Sequence, residues 1–276
     1  MKKSLIMCTA ILAGLWALMG CSPTKENTRV QAVQKAGKII LGTSADYPPY
    51  EFHAQMDGKD TIVGFDVALA NEIAKDLGVT LEIKDMDFDG LLAALASGNV
   101  DFVIAGMTPS EERRKNVDFS DIYYFAEHGV VIRTADESLY SVAPESLKDR
   151  MIGAQRGAIQ VSLAKTRIKG VAEAEAENPH PQVKELGKLP DLIMELKNKK
   201  IDAVVVELPV ARSYLKANSD LVLASYTFQD DDGGSAVAVK KGEKALVEAI
   251  NKTILRLQDE GRIEAFVAEA SELVEY

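Results

Sequence analysis

The feature that most constrains this chain is an alternation of short apolar runs with amphipathic stretches, beginning after Gly37. Residues 38–42 read as a strand. Residues 65–77 read as a helix, because Phe65, Leu69, Ile73 and Leu77 recur at i, i+4 spacing and share one face. Gly78 is its stop. Residues 79–83 form the next strand. Asp89 is placed to cap a short helix through Leu91, Leu92 and Leu95 that ends at Gly98, and 101–105 is a third strand. The series then restarts, with strands at 151–154 and 201–206, a helix after Pro209 and a strand at 235–239. Strands separated by helices predict parallel sheets and an α/β fold.

Two stretches of this series match each other. With Asp89 to Asp101 laid over Pro190 to Asp202, Leu91, Leu92, Leu95 and Val100 fall on Leu192, Ile193, Leu196 and Ile201, and Asp101 falls on Asp202. Gly106 and Glu207 then hold equivalent places at the carboxyl ends of two strands, where α/β sheets bind ligands. The match reads either as two corresponding lobes or as the general likeness of αβ units over a dozen residues.

The N-terminus carries a different signal. Lys2 and Lys3, an apolar run from Leu5 to Met19 and then Gly20-Cys21 form a secretory signal peptide, too short for a spanning helix. Leu18-Met19-Gly20-Cys21 resembles a bacterial lipobox. That implies a leader over residues 1–20, cleavage before Cys21 and a lipid on Cys21, with residues 21–37 as lipidated terminus and tether. Acyl chains contribute about 0.8 kcal/mol per buried methylene, so two or three anchor a domain durably. Cys8 leaves with the leader and Cys21 is modified, so the exported body has no disulfide. The full chain has 32 basic and 42 acidic side chains, and loss of Lys2 and Lys3 makes it more acidic still. Sequence-independent nucleic-acid binding needs the opposite balance and is excluded.

Several residues are placed for chemistry. Thr108-Pro109-Ser110-Glu111 reads as a capping box, with Thr108 as N-cap and Pro109 at the first helical position. A helix starting there favours an anion. Arg113, a turn inside, is either a carboxylate clamp or one more surface charge. Glu207 ends an apolar strand and is either a helix cap or a ligand for a cation. Tyr47 and Tyr50, in a loop stiffened by Pro48 and Pro49, either wall a pocket or pack on the sheet. Asp230-Asp231-Asp232 reads as a solvated turn. Catalytic and cofactor signatures are missing: His53, His128 and His180 have no metal spacing, and there is no phosphate loop, nucleophile elbow or marked acid/base pair. No metal, cofactor or enzymatic activity is expected.

Six ordered motifs, taken together, resemble the bacterial extracellular solute-binding proteins of the polar amino-acid family, the capture subunits of ABC importers. They are Tyr47-Pro48-Pro49-Tyr50-Glu51-Phe52, Gly64-Phe65-Asp66-Val67, Met86 to Leu91, Asp101 to Arg113, Val117 to Asp121, and Asp202 to Ala211. The resemblance implies the periplasmic-binding-protein fold: two α/β lobes, two crossover strands and a central ligand cleft. It places lobe one at 38–130 plus 228–276 and lobe two at 131–227. It implies that Arg113, helped by Thr108 and the backbone near Gly106, binds a ligand α-carboxylate, and that Glu207 binds the α-ammonium. Tyr47 and Phe88 would pack on the ligand side chain. The turn from Gln155 to Gln160, including Ala158, would offer N–H groups.

Three departures bear on the ligand: Glu207 replaces the usual Asp, Ala158-Ile159 replaces a hydroxyl pair, and Ser44 replaces an Asp found in several relatives. Arginine, lysine and glutamine are the expected ligands, with Glu51 and the aromatic pair suiting a cation. The implied partners are a permease and, through it, an ATPase. The protein would be a monomer, lipid-held on the outer face of the cytoplasmic membrane. Two other readings stand: a cyclohexadienyl-acid dehydratase on the same fold, and a lipid-anchored sensor or adhesin.

Overall fold

The computed structural model describes residues 28–229 and 233–274. The leader, the lipobox with Cys21 and the turn at 230–232 lie outside the described residues. The chain opens with α1 (Arg29–Ala36), β1 (Lys38–Thr43), β2 (Asp46–Tyr47), β3 (Glu51–Met56), β4 (Lys59–Val63), α2 (Phe65–Leu77), β5 (Thr80–Asp85), α3 (Leu91–Ser97), β6 (Phe102–Val103), α4 (Glu111–Arg114) and β7 (Val117–Tyr124). It continues with β8 (His128–Arg133), α5 (Glu137–Tyr140), β9 (Ile152–Gln155), α6 (Ile159–Leu163), β10 (Val183–Leu186), α7 (Leu189–Lys197), β11 (Ala203–Glu207), α8 (Leu208–Ala217) and β12 (Leu221–Phe228). It ends with β13 (Ser235–Lys240), α9 (Lys244–Asp259) and α10 (Arg262–Leu273).

Helix α2 has the expected bounds. Its apolar stripe is buried, and Gly78 ends it in the left-handed conformation. Gly64, just before it, has φ 131°, and a Cβ there would lie 2.0 Å from the Tyr50 carbonyl oxygen. Only glycine lets α2 begin this close to the Tyr50 backbone.

The strands form two five-stranded sheets, in the orders β5-β1-β6-β13-β7 and β10-β9-β11-β8-β12. In each, the first three strands are parallel and the last two antiparallel to their neighbours. The sheets are therefore mixed, which corrects the expectation of parallel sheets. The antiparallel members arise where the chain passes between sheets: β8 follows β7 directly, and β13 follows β12. These passages fall between Tyr124 and His128 and between Phe228 and Ser235, so the expected boundary at residue 130 falls inside β8.

The internal match has a physical basis. Asp101 Oδ2 accepts the Ile40 N–H at 2.7 Å, and Asp202 Oδ2 accepts the Met151 N–H at 3.0 Å. Each aspartate ties its strand to the start of the neighbouring parallel strand. Each also meets an arginine, Arg29 for Asp101 and Arg133 for Asp202.

Candidate functional site

The cleft lies where two equivalent sets of strands end. Ser44 follows β1 and Gly106 lies just beyond β6, while Gln155 and Glu207 end β9 and β11. Among the expected residues, Tyr47, Phe88, Gly106, Thr108, Arg113, Ala158 and Gln160 line it, closing it to a cavity of about 10 Å3. Glu207 stands behind this wall. Its carboxylate accepts a hydrogen bond from the Tyr50 hydroxyl, and its N–H donates to the Tyr47 hydroxyl at 3.4 Å. Burial and the Glu207 charge push the Tyr50 phenol well above its ordinary range, so it is a donor.

Arg113 reaches across the cleft. Its Nη1 donates to the Thr108 carbonyl at 2.7 Å, its Nη2 donates to the Gly157 carbonyl at 2.9 Å, and its guanidinium lies 5.4 Å from the Phe88 ring centre. The cap of α4 differs from expectation. Ser110 is the N-cap, accepting the Arg113 N–H at 3.4 Å, while Thr108 lies two residues earlier. Both are cap-forming residue types, and the strand-to-helix turn takes the later one. Asp89 likewise lies inside a 3-10 turn, Phe88–Gly90, and makes no side-chain cap. On the other lobe, Gln160 Nε2 donates to the Tyr47 hydroxyl at 3.2 Å, and the Ala158 N–H donates to the Gln155 carbonyl at 3.1 Å.

The cleft wall also holds residues beyond the expected contacts, among them Glu51, which the sequence named only as suiting a cationic ligand. Glu51 Oε2 is buried without a hydrogen-bond partner. Beside it is Asp66, whose carboxylate accepts from the Tyr123 hydroxyl at 2.8 and 2.9 Å and from the Gly106 N–H at 2.9 Å. Burial raises Asp66 to about 6, against the lowering effect of these donors. Burial, then the Asp66 charge and a shared hydrogen bond, push Glu51 well above the usual carboxyl range. Both shifts favour the protonated forms of the pair. Asp46 and Ser44 complete this wall, the Ser44 hydroxyl donating to Asp46 Oδ1 at 3.0 Å. Among the described residues no cluster fit to hold a metal ion is found, and no helix is long and apolar enough to cross a membrane.

A charged cleft between two lobes of the same topology, walled by strand carboxyl ends, defines a two-lobe ligand-binding protein. The chain belongs to the bacterial extracellular solute-binding proteins, family 3, matching over residues 39–269. It is 37% identical to the arginine-binding extracellular protein ArtP of Bacillus subtilis, over 96% of each chain. It is 33% identical to a probable histidine-binding protein of Campylobacter jejuni, again over 96% of each. An amino acid ABC transporter substrate-binding protein from Streptococcus pneumoniae, solved bound to L-arginine, superposes with a TM-score of 0.81 at 34% identity, over 89% of this chain and 98% of that one.

Proposed function

We propose that this chain is the lipid-anchored substrate-binding protein of an amino-acid ABC importer and that its ligand is L-arginine. The observation that carries the choice of ligand is the Glu51 carboxyl, buried in the cleft wall with an unpartnered oxygen beside Asp66. A neutral ligand leaves two crowded carboxyls to share a proton. A guanidinium supplies charge and several donors, which a buried carboxylate needs. In this reading the ligand α-carboxylate meets Arg113 with Thr108 and the Gly106 backbone. The α-ammonium reaches Glu207 past the Tyr47 and Tyr50 hydroxyls that bond it, and the side chain lies between Tyr47 and Phe88 toward Glu51. Ala158 and Gln160 complete the contact from lobe two. Bonds to both lobes at once give the ligand its differential affinity for the arrangement in which they meet, as hinge closure requires. The relatives named as arginine-binding support this reading.

The exported protein, a monomer held through Cys21 outside the cytoplasmic membrane, then delivers ligand to a permease driven by an ATPase. The test is a thermal-shift screen of the twenty amino acids on the protein without its leader. Ligand at a hundred times its Kd adds about 2.7 kcal/mol of stability. Arginine is expected to give the largest shift; lysine or glutamine in first place revises the ligand, and no shift at all sinks the reading. Arg113→Ala removes one partner of a desolvated pair, at a cost of about 3–5 kcal/mol. Calorimetry on that variant is expected to find no micromolar binding, and near-normal affinity refutes the role given to Arg113.

A further inference from the structure

Helix α7 starts without a cap of its own. Its N-cap position holds Lys188, which accepts no backbone N–H, and Pro190 follows at the second position. The first helical N–H, on Leu189, is buried and needs an acceptor. That acceptor comes from the other lobe: Leu189 N donates to Asp46 Oδ2 at 2.8 Å. Two further lobe-two groups meet the same residue. The Tyr214 hydroxyl of α8 donates to the Asp46 carbonyl at 2.9 Å, and Gln155 Nε2 approaches its carboxylate oxygens at 3.3 and 3.4 Å. Alongside, Lys188 Nζ lies 3.6 Å from Asp85 and 3.5 Å from Asp87, and Arg156 lies 3.6 Å from Asp89. Lobe one therefore presents an acidic edge to the amino end of α7.

We propose that Asp46 is a positioning residue that clasps the lobes: it caps α7 from across the cleft and so sets how long a ligand stays bound. Its carboxylate faces the cleft, yet its oxygens are taken up by the Ser44 hydroxyl of its own lobe and by Leu189 and Gln155 of lobe two, so it acts through lobe apposition. The clasp stands on these contacts alone; its effect on ligand release rests on the proposed function.

Two variants separate the roles. Asp46→Ala removes the cap. Tyr214→Phe removes a bond to the Asp46 backbone and leaves the cleft wall intact. Amide exchange at Leu189, measured without ligand, is expected to be slow in the wild type and faster in both variants, while Val204 in the lobe-two sheet stays protected. Arginine release, followed by stopped flow, is expected to quicken about threefold in Tyr214→Phe and about tenfold or more in Asp46→Ala. Equal Leu189 exchange in wild type and Asp46→Ala overturns the clasp. Wild-type release from Tyr214→Phe overturns its control of residence time. A wild type that binds no amino acid counts against the proposed function alone, because the exchange measurement decides the clasp without a ligand.

Discussion

Glu51 and Gly64 show how much one residue carries here. Glu51 is buried beside Asp66, and burial and that neighbour's charge favour its protonated form. Glu51→Gln keeps its shape and removes the charge that a guanidinium needs. Arginine affinity is expected to fall roughly a hundredfold, from about 3 kcal/mol lost in a buried charge pair. Affinity for glutamine, whose side chain is neutral, is expected to move only severalfold. Calorimetric titration with both ligands checks this, and an equal loss for both makes Glu51 a structural residue. Gly64 acts one step further back. A Cβ there collides with the Tyr50 carbonyl, and its φ of 131° disfavours any L side chain. Gly64→Ala is expected to cost roughly 3 kcal/mol, read as a lower denaturation midpoint. Arginine binding should weaken with it, because Tyr50 precedes Glu51 and bonds Glu207.

At the scale of elements, the repeated aspartate is the informative feature. Asp101 and Asp202 each receive a part-buried backbone N–H from the start of a neighbouring strand and each meet an arginine. Truncation of either to Ala orphans that N–H and is expected to cost about 2 kcal/mol. Urea unfolding of the two variants is expected to give similar losses, whereas a loss confined to one makes the equivalence topological only. This likeness was legible in the sequence because both blocks repeat the same apolar spacing. Helix α2 was legible for the same reason, since its buried face writes itself at i, i+4. Strand direction was not: β8 and β13 take their orientation from crossings between sheets, which local pattern does not encode. Asp66 was hidden for a related reason. An acid in a helix first turn is ordinary, and its role comes from Gly106 and Tyr123, 40 and 57 residues away in the chain. The place of Arg113 and Tyr47 on the cleft wall came from the resemblance of their motifs, since spacing alone left Arg113 as clamp or surface charge and the tyrosines as wall or packing.

For the whole molecule, the acid pair couples protonation to ligand and to stability. Asp66 titrates at about 6 and Glu51 well above the usual range, against about 4 in an unfolded chain. Between these values the folded, ligand-free protein binds more protons than the unfolded one. The contribution of the pair to stability is therefore fully present at low pH and is lost as pH rises through the folded values. A cationic side chain reverses the sign, because it binds the deprotonated pair and expels the proton. For one proton held at about 6, affinity at pH ~5 is expected to be roughly tenfold below that at pH ~7, and Glu51 steepens the fall. Calorimetry in two buffers of different ionisation heat is expected to detect proton release with arginine and much less with glutamine. The thermal shift from a fixed arginine concentration is expected to grow with pH over the same interval, and Glu51→Gln to flatten that growth. An arginine affinity level across this interval, with no proton released, would mean that the ligand charge lies elsewhere than at Glu51 and Asp66.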